Sequence, residues 1–202
     1  MLFRSPVRYI SNRSSGKMGF AIARAARDRG GHVDLISTLT PPALEGVQYV
    51  PVERADEMLD AVLAALDGLD LLILAAAVAD FKPEKEAIQK LKRRSGAPEL
   101  ALTPTVNVLA EAKARRGQAK RPLIVGFAAE TQDLLGNAQE KQDEWGIDLD
   151  VANDVSLDGS GFGSDFNKVT ILRNNAPTLD LPLLPKLEVA HRLLDEVLAL
   201  PR

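Results

Sequence analysis

The chain has 202 residues, of which 46% are hydrophobic and 26% charged, and its 25 basic and 28 acidic side chains leave a formal net charge of −3. That length buries a sizeable core as one large domain or two small ones, and the composition excludes a disordered chain, a collagen-like repeat and a disulfide scaffold. Cysteine is absent and the two histidines are His32 and His191, so a thiol nucleophile, a cysteine-based zinc or iron–sulfur site and a multi-histidine metal centre are excluded.

Met1–Val7 carries no clear element, and Arg8–Ile10 is at most a short strand. Lys17–Arg29 is Ala-rich and stops at Gly30-Gly31, the pattern of a helix with its C-terminal stop. His32–Ser37 alternates like a strand, and Val47–Val52 is a second short β-like run. Asp56–Leu66 sets Met58, Leu59, Val62, Leu63 and Leu66 at helical spacing. Leu69–Ala77 is continuously apolar, as a parallel strand covered on both faces must be. Residues 81–103 break this rhythm with charges, Pro83 and Pro98, and read as a flap. Thr105–Arg116 predicts a helix, Leu123–Phe127 a strand, Leu134–Trp145 a helix and Asp148–Ala152 a strand. Asn153–Asn167 reads as a Gly-rich loop. Lys168–Arg173 and Thr178–Leu181 flank Asn174-Asn-Ala-Pro177 as a hairpin, and Leu187–Leu198 closes the chain as a helix.

Alternating strands and helices predict an α/β fold, a Rossmann-like three-layer sandwich with a mainly parallel sheet, arranged as one domain over residues 1–202. Ligands in such sheets sit beyond the carboxyl ends of the strands. That places the candidate site at the turns Ala75–Asp80, Phe127–Thr131 and Asn153-Asp154.

Charge is uneven. Residues 82–94 hold six basic and two acidic side chains, and residues 113–121 hold five basic and none acidic. On an acidic protein these zones suit small anions or are solvated faces, and the whole molecule has no general pull on nucleic acid. No apolar run reaches the roughly 18 residues of a membrane span, and the first residues lack a signal-peptide core. No membrane contact and a reducing cytoplasmic setting are expected.

Several segments can carry chemistry. Ser11-Asn-Arg-Ser-Ser-Gly-Lys-Met-Gly19 places two serines and two glycines before a helix, where free N–H groups and the helix dipole favour a phosphate. It matches neither a Walker loop nor G-x-G-x-x-G, and an N-cap serine with packing glycines is the competing reading. Lys90 and Lys92 share one face of an extended segment, about 7 Å apart; they either grip a triphosphate or lie on a solvated flap. Ala76 and Ala77 let a ligand lie against the backbone, with Asp80 as hydrogen-bond acceptor, metal partner or helix cap. Phe127 packs on a nucleobase or in the core. Asn153 and Asp154 are ligand contacts or turn residues. No nucleophile–base pair emerges, which favours chemistry by positioning and charge neutralisation.

Taken together, Arg8–Gly19, Ala76–Asp80, Lys90–Arg93, Val125–Thr131, Val151–Val155 and Gly161–Asp165 with Asn167 resemble the phosphopantothenate–cysteine ligases of bacterial coenzyme A synthesis, in order and over essentially the whole chain. The S-N-x-S-S-G-x-M-G run is the most specific of these. Such ligases are often fused to a flavin-dependent phosphopantothenoylcysteine decarboxylase, an expected partner. The resemblance implies that CTP, carried with Mg2+, activates 4′-phosphopantothenate as an acyl-cytidylate, which L-cysteine then captures with release of CMP. It also implies a homodimer. By the match, Asn12 contacts the acyl intermediate, and Arg8 reaches the pantothenate moiety across the dimer. Ala76, Ala77 and Asp80 touch substrate and nucleotide. Ser14, Gly16 and Gly19 cradle phosphate. Lys90 works with CTP from a flap that also dimerises. Val106, Asn107, Val108, Leu109, Phe127, Lys141 and Asn153 fall at nucleotide contacts.

Three departures stand out. The family's strand and Gly-rich turn before the arginine motif are replaced by Met1–Val7, so a first strand is expected to be missing. An acidic residue of the family is Asn107 here, and a second lysine is Trp145. The rival readings are an NAD(P)-dependent Rossmann-type oxidoreductase and an inactive, truncated remnant of the ligase.

Overall fold

The computed structural model describes residues 2–5, 8–85, 100–130, 146–154, 159–160, 163–173 and 176–200. The sequence-predicted helix 134–145, the tip of the flap with Lys90, and Lys141 and Trp145 lie outside these residues.

A short antiparallel ladder comes first: β1 (Leu2–Ser5) pairs with β2 (Arg8–Ile10). Leu2–Ser5 thus supplies a hairpin strand where the sequence shows no clear element. Helix α1 (Lys17–Asp28) follows, and its Ile22, Ala23 and Ala25 are buried. The N–H groups of Gly30 and Gly31 close its end onto the carbonyls of Arg27 and Ala26 at 2.8 and 3.0 Å. Strands β3 (Val33–Ser37) and β4 (Val47–Pro51) run parallel. Helix α2 (Ala55–Ala65) starts where Glu57 Oε2 accepts from the N–H groups of Glu53 and Arg54, which satisfies two otherwise orphaned donors.

The main sheet has the order β12-β11-β9-β8-β5. Strands β5 (Leu71–Leu74), β8 (Leu123–Glu130) and β9 (Leu149–Asp154) are mutually parallel, whereas β11 (Val169–Arg173) and β12 (Ala176–Asp180) are added antiparallel. Between β5 and β8 the chain forms the antiparallel pair β6 (Phe81–Pro83) and β7 (Leu102–Pro104), the stem of the expected flap, and then α3 (Val108–Arg116). Strands β10 (Phe166–Asn167) and β13 (Leu184–Pro185) pair beside the start of α4 (Lys186–Ala199).

Two helical layers cover the sheet. On one face Ile22 and Ala25 of α1 and Val189, Ala190, Leu193, Leu194 and Val197 of α4 pack on Val125, Leu149, Val151, Val169 and Ile171. On the other, Met58 and Val62 of α2 and Val108 and Ala112 of α3 pack with Leu72 of β5, and Ile36 of β3 joins the same cluster. The three-layer α/β sandwich is therefore as the sequence indicated. Its parallel part, however, is in two pieces: among the described residues no hydrogen-bond ladder joins β3–β4 to the edge of β5.

Several boundaries differ from the sequence reading. Strand β5 is shorter than Leu69–Ala77, which frees Ala75–Asp80 from the ladder. Strands β8 and β9 run beyond their expected ends because they hold each other in register as far as Glu130 opposite Asp154. Asn153 and Asp154 are therefore strand residues, not turn residues. Helix α3 starts three residues later than Thr105. In the C-terminal hairpin Ala176 and Pro177 belong to β12 rather than to the turn.

Candidate functional site

Helix α1 begins at an unusual cap. Gly16 has φ 71°, in the left-handed region, and no side chain caps the helix. The N-cap serine of the competing sequence reading is thus absent. A Cβ on Gly16 would lie 2.8 Å from Phe20 Cζ and 3.2 Å from Leu39 Cδ1, so both backbone and space require glycine here. The first turn holds no acidic residue. The N–H groups of Lys17, Met18 and Gly19 precede the first intrahelical bond, from Phe20 N to the Gly16 carbonyl at 2.9 Å, and they lie at the positive end of the helix dipole beside the Ser14–Gly16 turn. Gly19, within that turn, has nothing within 4 Å of where a Cβ would stand, so its bareness leaves open space instead of serving helix packing.

The segment before this cap is tied to the end of β5. Asn12 Nδ2 donates to the Val78 carbonyl at 3.2 Å, across 66 positions of sequence. The Ala75–Asp80 turn is held from its other side, where Thr105 N donates to the Asp80 carbonyl at 2.8 Å. Ala76 and Asp80 are exposed, and Ala77 is half-buried. Leu74 stands opposite Gly126, which sets this turn beside Phe127 on the neighbouring strand. Gly126 leaves no room for a side chain, since a Cβ there would lie 2.9 Å from Ile147 Cδ1 and 3.4 Å from Leu109 Cδ2. Leu109 of α3 thereby rests close to β8.

Asn107 caps α3, its Oδ1 accepting from Ala110 N at 3.1 Å. The residue that departs from the acidic family pattern thus has a structural task of its own. Val106 precedes the cap, and Val108 is buried behind it. Phe127 is half-buried and packs against the α1–α4 core, so part of its ring serves the core reading. Ala129 pairs with Asn153 and Phe127 with Val151, which puts Phe127 and Asn153 on the same face of the sheet. Asn153 Oδ1 is buried without a hydrogen-bond partner, as is Thr105 Oγ1. Unmet acceptors at a strand's carboxyl end are what a ligand's donor groups would satisfy.

The sequence did not anticipate how the Gly161–Asp165 segment works. Lys17, the first residue of α1, donates to Asp165 Oδ1 at 2.7 Å and to the Gly163 carbonyl at 2.8 Å. The Lys17 ammonium holds the Asp165 carboxyl below its ordinary value. Lys186 N donates to the Asp165 carbonyl, and Asn167 Nδ2 approaches Met18 Sδ. Gly163 and Asp165 thus brace the first turn of α1. The only sequence signal for it was the motif itself, since its partner lies 148 positions away.

The structure therefore ties Asn12 to the Ala75–Asp80 turn after β5, places Ser14 and Gly16 at the start of α1, and sets Phe127 and Asn153 on one face of β8 and β9. Arg8 opens β2, whose hairpin abuts β6. Among the described residues no group of three or more His, Asp or Glu side chains could hold a metal.

Residues 4–200 match the model of the DNA/pantothenate metabolism flavoprotein C-terminal domain. The chain belongs to this family. It is 41% identical over 201 residues to the coenzyme A biosynthesis bifunctional protein CoaBC of Bacillus subtilis (strain 168), covering 98% of this chain and 48% of that protein. Identity to the protein of the same name in Vibrio vulnificus (strain CMCP6) is 40% over 193 residues, covering 95% of this chain and 48% of that protein. The chain thus spans about half the length of the curated relatives it matches. The crystal structure of a CoaBC C-terminal domain superposes with a TM-score of 0.78 at 35% identity, over 97% of this chain and 88% of that one. The likeness to the ligase half, read from the motifs, is thereby borne out, as is the Rossmann-like fold. No helix of the described residues is long and apolar enough to cross a membrane.

Proposed function

We propose that this chain carries out the phosphopantothenate–cysteine ligase step of coenzyme A synthesis, with CTP as the activating nucleotide. The observation that carries this reading is the Asn12–Val78 hydrogen bond, which joins an uncapped helix start to a bare strand-end turn. An anion at the helix N-terminus and a ligand body along Ala76–Asp80 would then lie next to each other.

The reaction needs no protein nucleophile. A carboxylate oxygen of 4′-phosphopantothenate attacks the α-phosphorus of CTP, and the bond to pyrophosphate breaks. The amine of L-cysteine then attacks the acyl carbon, loses a proton, and displaces CMP. In this reading Ser14, Gly16 and Gly19 seat phosphate oxygens on backbone N–H groups, and Asn153 Oδ1 and Asp80 accept from the nucleotide. Asn12, held by the Val78 carbonyl, orients the acyl group. Lys90 and Lys141 would add positive charge. Magnesium fits as an ion carried by the triphosphate, with Asp80 as the nearest carboxylate of the turn, because such ions need few protein ligands. When bound it would neutralise phosphate charge.

A homodimer is part of the proposal. Tyr9, Phe81, Leu100 and Leu102 are exposed apolar residues of the hairpin and flap stem, an arrangement suited to a second copy. A flavin-dependent decarboxylase acting on the product, and a cytoplasmic location, accompany the same reading.

The test is pyrophosphate release with CTP, 4′-phosphopantothenate and magnesium, with and without cysteine. Release without cysteine and CMP only with it is the expected result, while no release under either condition would favour the inactive remnant. Asn12→Ala should slow CMP formation by about tenfold or more while pyrophosphate release persists. Equal slowing of both steps would reject the role given to Asn12.

A further inference from the structure

A cavity lies over the outer flank of α1, apart from the Ala75–Asp80 turn. It has a volume of about 540 Å³ and is lined by Lys17, Phe20, Arg24 and Arg27 of α1, by Pro42 and Leu44 of the β3–β4 connection, and by Asp165 and Lys186. It shares no residue with the site at Asn12, Gly16, Asp80, Phe127 and Asn153. Four of its lining residues are cationic and one is anionic. The volume is that of a small-molecule site, and the mixture of apolar wall and convergent charge is typical of one.

The charges of the lining are only partly neutralised by one another. Lys186 is 7% exposed, and its ammonium donates to the carbonyls of Ser164 and Phe166. Burial first, and the nearby Lys17 ammonium second, hold Lys186 below its ordinary value, with Asp165 opposing. The Lys17 ammonium pairs with the Asp165 carboxylate at 2.7 Å, whose side chain is 79% exposed. Along the helix, Arg24 and Arg27 share the single carboxylate of Asp28, at 3.6 and 2.6 Å. Phe20 lies between the two pairs of cations on the same helical face. Exposed pairs of this kind contribute little to stability, so a better anion displaces them at small cost.

We propose that this cavity is a second binding site, for a small phosphorylated molecule with an apolar or planar body. The phosphate lies among Lys17, Lys186 and Arg24, and the body rests on Phe20, Leu44 and Pro42. Asp165 is the internal competitor that the phosphate replaces at Lys17. The ligand therefore acts on the residue that starts α1, and the cavity is placed to modulate the helix that carries the phosphate turn.

The probe is inorganic pyrophosphate, titrated into the full chain and followed by amide NMR shifts at low and high salt. Saturable shifts are expected at Lys17, Phe20, Arg24, Leu44 and Lys186, weakening as salt rises. Arg24→Gln should lower the affinity about tenfold, the size of one charge-assisted hydrogen bond. Asp165→Asn should raise it, because the competing carboxylate is gone. Asn12→Ala should leave it unchanged, which separates this site from the proposed ligase site. Shifts confined to Ser14, Gly16, Gly19, Asp80 and Phe127, or an affinity indifferent to both Arg24→Gln and Asp165→Asn, would overturn the proposal. Absence of any shift up to about a hundredfold excess would do the same.

Discussion

Strands β8 and β9 and strands β3 and β5 all carry apolar residues and a parallel neighbour, yet they sit in unlike surroundings. Ile124, Val125, Leu149 and Val151 are completely enclosed. In β5 only Leu72 is buried, and in β3 no residue is. The apolar run Leu71–Leu74 and the alternation of Val33–Ile36 are no less suited to burial. What differs is the neighbour: β8 and β9 are hydrogen-bonded on both edges, whereas β3 and β5 each keep an edge without a ladder partner among the described residues. Side-chain pattern commits a strand to a layer, but full burial needs partners on both edges as well as both faces.

The largest expected effect is a difference in what truncation costs. Leu149→Ala in the sealed half should destabilise by about 2–5 kcal/mol, because the cavity cannot collapse. Leu35→Ala in the open half should cost no more than about 2 kcal/mol, since its side chain already keeps contact with water. Urea unfolding midpoints decide it. Equal losses would mean that β3 is as well enclosed as β9, and the contrast would fail.

Glycines sharpen the same contrast at smaller cost. Gly126→Ala drives a Cβ against Ile147 and Asp150, and overpacking of this kind costs about 1–3 kcal/mol. Gly19→Ala meets nothing and should stabilise α1 by about 0.5–1 kcal/mol through helix propensity. If the empty space over Gly19 serves a phosphate, the stabilised variant should nonetheless lose turnover. A more stable Gly19→Ala with full activity would remove Gly19 from the site.

The layers are legible in the sequence, and the places where its reading departs from the structure have identifiable causes. Ala128, Ala129 and Glu130 look like the start of a turn, yet they continue β8 because β9 pairs with them one for one; tertiary pairing overrides a weak local preference. Asn153 reads as either a ligand contact or a turn residue for the same reason. Thr105 and Val106 carry no local mark that withholds them from α3, although Asn107 is a good N-cap residue. The hairpin of β1 and β2 follows no strong period over strands this short. The α1-flank cavity was illegible, because its walls come from residues 17–27, 42–44, 165 and 185–187, and no motif joins them. By contrast, the Ser11–Gly19 run was legible because its task is local: a helix start that only glycine can turn.

Helix α1 covers the boundary between the two halves and is clasped to the sealed one at both ends. Lys17 meets Asp165 at one end, and Arg29 meets Asp195 at 2.8 Å and the His191 carbonyl at 2.8 Å at the other. The first clasp should respond to acid. Its hydrogen bond from Lys17, the largest influence on Asp165, lowers that carboxyl below its ordinary value of 3.8. A carboxyl with a depressed folded value contributes stability that is complete above its unfolded value and disappears as pH falls through the folded one. The advantage of the parent chain over Asp165→Asn should therefore be constant at neutral pH and shrink only below 3.8. The effect is the smallest of these, because the pair is exposed, and it is read as the difference between two unfolding midpoints across a pH series. A difference that shrank well above 3.8, or persisted unchanged into strong acid, would show that Asp165 braces α1 through loop shape and not through its charge, and the sealed half would then hold the helix by packing alone.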